Sequence, residues 1–273
     1  MLIELRGVSK VFTNPRTGKG LVALNDVTLE VGEGEFLCLI GPSGCGKSTA
    51  LNLLAGFEAS TGGDVLFQGK RVTAPSPKRG VVFQESSLFP WMTVLQNVTF
   101  SLQGEDGREG KEAKAMEYLR MVGLADFARS RPSELSGGMK QRVAIARALA
   151  MDPDVLLMDE PFGSLDEQTR RKLDNEVLSL WKREGKTIIF VTHSIDEALI
   201  LGTRVVLMCA SPGRISREWK VDMPWPRDPS SPRMVRLKEE MIRGLQTCSC
   251  AATAPRPSFI SIGNEVNGTE VGK

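Results

Sequence analysis

Three features of the sequence predict an α/β fold with a mixed β-sheet core, an N-terminal antiparallel β portion and an inserted α-helical subdomain. The first is a set of short, unbroken apolar runs: Phe36-Leu37-Cys38-Leu39-Ile40, Val155-Leu156-Leu157-Met158 and Ile188-Ile189-Phe190-Val191. Such runs suit strands buried on both faces, as in a parallel sheet covered by helices. The second is Gly41-Pro42-Ser43-Gly44-Cys45-Gly46-Lys47-Ser48-Thr49, which follows the first run at once. It matches G-x-x-x-x-G-K-[ST], a Gly-rich turn that cradles phosphate between a strand and a helix. The third is a change of period over residues 85–150, where helical spacing replaces strand runs.

Composition narrows the class. The chain has 273 residues, 41% hydrophobic and 25% charged, which is ordinary for a globular protein able to bury a core. Thirty-five basic against 33 acidic residues leave +2, so charge alone points to no nucleic-acid partner. No apolar run approaches the ~18–20 residues that span a bilayer. The start, Met1-Leu2-Ile3-Glu4-Leu5-Arg6, lacks the order of a signal peptide. Five cysteines, at 38, 45, 209, 248 and 250, form an odd set; free thiols and a reducing cytoplasm are expected rather than disulfides.

Taken in order, residues 2–6 and 27–31 read as strands, and Asn14 to Gly20 as a polar turn. Phe12 either packs locally or offers a face for a ring to stack on. In the Gly-rich loop, glycines let backbone N–H groups turn inward around an anion. Ser48 to Gly56 reads as the helix whose N-terminus adds partial positive charge, Lys47 can reach β/γ-phosphates, and the Ser48 hydroxyl can ligate Mg²⁺. Val65-Leu66-Phe67 and Val81-Val82-Phe83 read as strands. Gln84, at the end of the second, either enters a ligand crevice and touches the metal or is a solvated strand end.

Helices are expected over 93–99, 111–122 and 137–150. The last opens with Ser136-Gly137-Gly138, a Ser N-cap followed by exposed backbone donors. That is either an ordinary capped helix or a second anion site. Asp159 and Glu160 close a buried strand, where unpaired charge is costly, so a ligand is the better reason for them: Asp159 toward Mg²⁺ and Glu160 toward an attacking water. Ser164-Leu165-Asp166-Glu167 has capping-box spacing and opens a helix over 165–183. His193, the chain's one histidine, closes the strand 187–191 on the ligand side, and Ser194 to Glu197 is a second capping box. Arg204 to Met208 and Gly213 to Lys220 read as strands. Four prolines between 224 and 232 mark a linker, 231–245 is amphipathic, and 246–273 has no usable period and reads as a disordered tail. The organisation is thus a main domain over 1–220 with its helical part near 86–150, a linker and helix over 221–245, and the tail.

In this order the motifs resemble those of the nucleotide-binding subunits of ABC transporters. Leu135 to Gln141 looks like the signature motif, Asp159 to Asp166 like Walker B and the D-loop, and Gln84 and His193 like the Q-loop and switch histidine. The resemblance spans residues 1 to about 220 and implies a P-loop NTPase fold, the ABC ATPase cassette, with ATP and Mg²⁺ as cofactors. It implies two copies sandwiching each nucleotide: one supplies Gly41–Thr49, Gln84, Asp159, Glu160 and His193, the other Ser136, Gly137 and Gly138. Glu160 would then be the general base, His193 the holder of γ-phosphate and water, Lys47 and Mg²⁺ (on Ser48, Gln84 and Asp159) the charge stabilisers, Phe12 the adenine stack, and Asp166 a messenger between sites.

Gln84-Glu85, Leu88-Phe89-Pro90-Trp91, Val94, Asn97-Val98 and Met139 resemble the importer subunits for nitrate, aliphatic sulfonates and taurine. That implies separate permease chains docked through the groove beside Gln84 and the helical block, a periplasmic or lipid-anchored solute-binding protein, and a peripheral place on the inner membrane face. A soluble ABC-type ATPase of DNA repair or translation is the alternative, but neither a long coiled-coil insertion nor a second cassette is present. A small-molecule kinase would leave the signature-like segment without a role. The chain departs from the family at Ser194, which should still cap its helix, and at Gly202-Thr203, expected to loosen the turn before Arg204.

Overall fold

The computed structural model describes residues 1–102, 107–163, 165–251 and 260–261. Two sheets form its frame. Strands β1 (Ile3–Thr13), β2 (Lys19–Val31), β4 (Gly62–Phe67) and β5 (Lys70–Arg71) are antiparallel in the order β2-β1-β4-β5, with Ile260–Ser261 on the β2 edge. Strands β3 (Phe36–Ile40), β6 (Arg79–Val82), β7 (Val155–Asp159), β8 (Thr187–Val191), β9 (Arg204–Cys209) and β10 (Arg214–Lys220) make the second sheet, order β10-β9-β3-β8-β7-β6. All of its pairings are parallel except β9 with the edge strand β10.

The apolar runs explain this sheet. Every residue of β3 and β8 is buried, because both faces are covered. Leu37 and Leu39 face β1, β2, β4 and helix α1 (Lys47–Ala55), whereas Phe36, Cys38 and Ile40 face α4 (Gly137–Ala150), α5 (Glu167–Glu184), α6 (Ile195–Leu201) and α7 (Pro232–Ala251). A third core joins α2 (Val94–Thr99), α3 (Arg108–Met121) and α4, so the inserted block has its own apolar centre. Asn97, wholly buried, gives its amide N–H to the carbonyls of Phe89, Met92 and Thr93 and accepts from Phe89 N, which fixes the loop before α2.

Several expectations need correction. β1 and β2 are longer than residues 2–6 and 27–31, because the stretch between them stays paired through register shifts at Leu5/Val8, Val8/Lys10 and Lys10/Val11. α5 begins at Glu167, and its N-cap is Asp166, which accepts from Thr169 N at 2.9 Å; Ser164 lies outside the described residues. The turn before Arg204 is pinned rather than loosened: Thr203 Oγ1 accepts from Phe36 N and donates to Phe36 O. α7 runs on to Ala251, past the expected end at 245, so the start of the supposed disordered tail is helical; the rest, except 260–261, lies outside the described residues. Two thiols expected free are joined, since Cys209 of β9 and Cys248 of α7 form a disulfide with Cα atoms 5.1 Å apart.

One buried acid carries a stability prediction. Asp174 of α5 is 3% exposed, and its carboxyl is pushed up to about 7 from 3.8, first by burial, then by Glu197, against the pull of Arg170. A raised acid stays protonated in the fold while the unfolded chain ionises, so its penalty grows as pH rises from about 4 to about 7. Asp174→Asn is expected to raise stability at pH 8 by up to about 4 kcal/mol and to change little near pH 4. Thermal melts of both proteins across that range measure it.

Candidate nucleotide site

Parallel pairing brings the carboxyl ends of β3, β6, β7, β8 and β9 to one edge, the ordinary place for a ligand in an open α/β sheet. The Gly-rich loop follows β3, Gln84 follows β6, Asp159 and Glu160 end β7, His193 follows β8, and Ser211 follows β9. A cleft of about 760 Å³ opens there. Its walls include Phe12, Ser43, Gly44, Gly46, Lys47, Ser48, Thr49, Gln84 and Glu160.

The loop is packed as tightly as it is turned. Gly41 and Gly46 have φ of 155° and 93°, and a Cβ on either would strike the Met208 carbonyl or the Leu24 side chain. Pro42 O and Gly41 O accept from Lys47 Nζ at 3.2 and 2.9 Å, so the lysine lies folded across the loop it closes. Cys45 is buried beside it, and burial pushes its thiol up. Phe12 stands on the cleft wall 38% exposed, with Lys10 Nζ 4.7 Å from its ring centroid.

The acids sit across from the loop. Asp159 is hydrogen-bonded to Ser48; burial pushes its carboxyl up, the Ser48 bond lowers it, Glu160 raises it and Lys47 lowers it. Glu160 has φ of 42°, unusual for a residue with a side chain, and its N–H donates to Val191 O at 3.0 Å. That backbone turn directs its Oε2 to within 3.2 Å of His193 Nδ1. Serine, lysine, two carboxylates and an imidazole thus meet at one edge.

The other expected residues form a second cluster. Ser136 N-caps α4, its Oγ accepting from Met139 N at 3.3 Å, and is exposed with Gly137. Gly138 is buried, and α5 lies so close that a Cβ there would be 2.9 Å from Thr169 Cγ2. Asp166 is also exposed, its carboxyl held below the usual range by the Thr169 N–H. Neither Asp166 nor the Ser136–Gly138 tip lines the cleft.

Sequence reasoning did not single out Leu21, Val22, Ala23, Ser211 or Gly213, which with Gly20 complete the cleft. The first three lie in a hairpin with no motif. The Ser211-Pro212-Gly213 turn signal was the one available cue, and Ser211 has φ of 63°.

Comparison with known proteins agrees with this geometry. The ABC transporter family model matches residues 24–163. An ABC transporter ATP-binding protein of uncharacterised role from Methanocaldococcus jannaschii is 46% identical, over 89% of this chain and 91% of its own. The taurine import ATP-binding protein of Roseobacter denitrificans is 49% identical, covering 80% and 82%. An aliphatic sulfonates import ATP-binding protein of Bacillus cereus is 42% identical, covering 89% and 95%. A dimeric ATP-binding cassette solved in a post-hydrolysis state with ADP and phosphate superposes with a TM-score of 0.73 at 35% identity, covering 82% of this chain and all of that one. A phosphate loop, an acidic strand end and a Ser-capped helix tip on this scaffold, matched across most of the chain, place it in one family: the chain belongs to the ABC transporter family as one of its ATP-binding, ATP-hydrolysing cassettes.

Proposed function

We propose that this cassette powers an importer for a small oxyanion-bearing solute, of the class of taurine, aliphatic sulfonates or nitrate, working as a homodimer. The observation that carries the dimer is the separation of the two clusters. Within one chain the Ser136–Gly138 tip has no phosphate to meet, yet its exposed donors at a helix start suit one. A second copy would bring that tip over the cradle of the first. The solute class is supported by the relatives, whose names specify taurine and aliphatic sulfonates.

In this reading the adenine lies on Phe12 and the phosphates in Gly41–Thr49, with Lys47 released from its own loop carbonyls to the β/γ-phosphates. Mg²⁺ fits the donor set, since the Ser48 hydroxyl and the Asp159 carboxylate already lie in hydrogen-bond contact and Gln84 adds an amide oxygen on the same wall. When bound, it would neutralise charge on the transferring phosphoryl group. Glu160 takes a proton from the attacking water, and His193 holds water and γ-phosphate. The positive φ of Glu160 is the local strain that aims it.

No helix among the described residues is long and apolar enough to cross a membrane. Docking on separate permease chains at the inner membrane face, with an extracytoplasmic binding protein delivering solute, is supported by the relatives, which are import ATP-binding proteins. The docking surface is the aromatic patch flanking α2, where Trp91 and Phe100 are 69% and 63% exposed and both pack on Phe89. Exposed apolar area of this kind marks a protein interface. Nucleic acid has no place in the scheme.

In cells whose own gene carries Lys47→Ala, uptake of labelled taurine, alkanesulfonate or nitrate is expected to fall to background. Unchanged uptake of all three would remove the solute assignment.

A further inference from the structure

Between the loop after Glu160 and the loop carrying His193 lies a charge pair with no part in the roles above. Arg170, near the start of α5, sends Nη2 to Leu165 O at 2.9 Å and Nε to Phe162 O at 3.4 Å. It thereby clasps the main-chain carbonyls of Phe162 and Leu165, which lie in the chain between Glu160 and Asp166. The same Nε is 3.3 Å from Glu197 Oε1, on α6. The Glu197 side chain is 9% exposed, and its other oxygen accepts the Thr192 hydroxyl. Thr192 Oγ1 in turn accepts from Ser194 N at 2.9 Å, and Ser194 Oγ accepts from Glu197 N at 3.2 Å.

His193 is therefore held from both sides by residues that Glu197 anchors. A carboxylate so buried is tolerated only with a partner, and Arg170 is the cation that reaches it. Because Arg170 also grips Phe162 and Leu165, the two loops cannot shift independently without breaking that pairing.

We propose that Arg170 and Glu197 are positioning residues that couple the backbone at Phe162 and Leu165 to His193, so that occupancy of one nucleotide site is felt at the other. This rests on the two-copy reading, in which that backbone lies at the boundary between copies. Coupling of sites is a free energy, and losing its carrier removes cooperativity rather than binding.

The test uses the full chain with Arg170→Met, Glu197→Gln and Arg170→Lys. The parent should hydrolyse ATP with a Hill coefficient approaching 2, set by two coupled sites. Arg170→Met and Glu197→Gln should lower kcat about tenfold, keep KM within about twofold, and bring the Hill coefficient to about 1. Arg170→Lys, which keeps the charge, should recover much of both. Glu197→Gln keeps the bond to Thr192, so it reads the ion pair even where Arg170→Met does not fold. Parent-like kcat and Hill coefficient in Glu197→Gln, or a parent without cooperativity, would overturn the proposal, and so would a pure loss of melting temperature with normal kinetics. A Glu160→Gln control separates the layers. If it stays monomeric with ATP, the two-copy reading fails and the coupling with it. If it dimerises while Glu197→Gln behaves as the parent, only the role of the pair is lost.

Discussion

Glu160→Gln should bind ATP as tightly as the parent, lose at least two orders of magnitude in kcat, and accumulate as an ATP-filled dimer. The size of the effect follows from what the amide changes. Gln keeps the length and shape of Glu and can still hydrogen-bond His193, now 3.2 Å from the carboxylate, but it cannot take a proton from water. General-base contributions are typically about 10²–10⁴-fold, and they act only in the transition state. The ground-state grip on phosphate comes from Gly41–Thr49 and Lys47, which the substitution leaves alone. Binding and turnover therefore separate, and the nucleotide that would have been cleaved stays to hold two copies together. Radiolabelled ATP binding, phosphate release and light scattering on one preparation measure all three. Turnover within threefold of the parent would take Glu160 out of the reaction.

Much of this site was legible because its chemistry is local. A phosphate cradle needs glycines at φ values that a Cβ forbids, and Gly41 to Ser48 shows that need as a contiguous string. The all-apolar strands and the Ser136 and Ser194 caps are also short-range, and they appear where expected. What escaped is long-range. Glu197 looks like the reciprocal half of a capping box, yet its carboxylate turns away to Thr192 and Arg170, 27 residues off in the chain by their numbers. Nothing near Asp174 in sequence says that Glu197 will lie beside it. The end of α7 was lost for a similar reason: periodicity fades after Leu245, whereas in the fold Cys248 is buried in the core and joined to Cys209 of β9. Leu21, Val22 and Ala23 carry no motif and become cleft wall only because their hairpin folds over the loop.

Ser136→Arg should fold, bind ATP as a monomer, and lose hydrolysis by at least two orders of magnitude. Loss of the N-cap bond to Met139 N costs about 1 kcal/mol, too little to unfold the chain. The nucleotide cleft of the same copy is untouched, because Ser136 is exposed on α4 and no part of that cleft's wall. The damage falls on the facing copy: the hydroxyl is gone, and a long side chain fills the space where the helix tip would meet γ-phosphate, so the backbone donors can no longer approach. Charge alone would favour arginine beside phosphate, so a purely electrostatic role for the tip predicts retained activity, whereas a geometric one predicts its loss. Mixing decides further. Lys47→Ala destroys the cradle of its own copy but keeps a normal tip, and Ser136→Arg does the reverse. Each is inactive alone, yet a mixed dimer contains one composite site with both halves intact, so the mixture should hydrolyse ATP. Normal turnover by Ser136→Arg as a monomer, followed by phosphate release and gel filtration, would show that one copy suffices and that the tip serves only to cap α4.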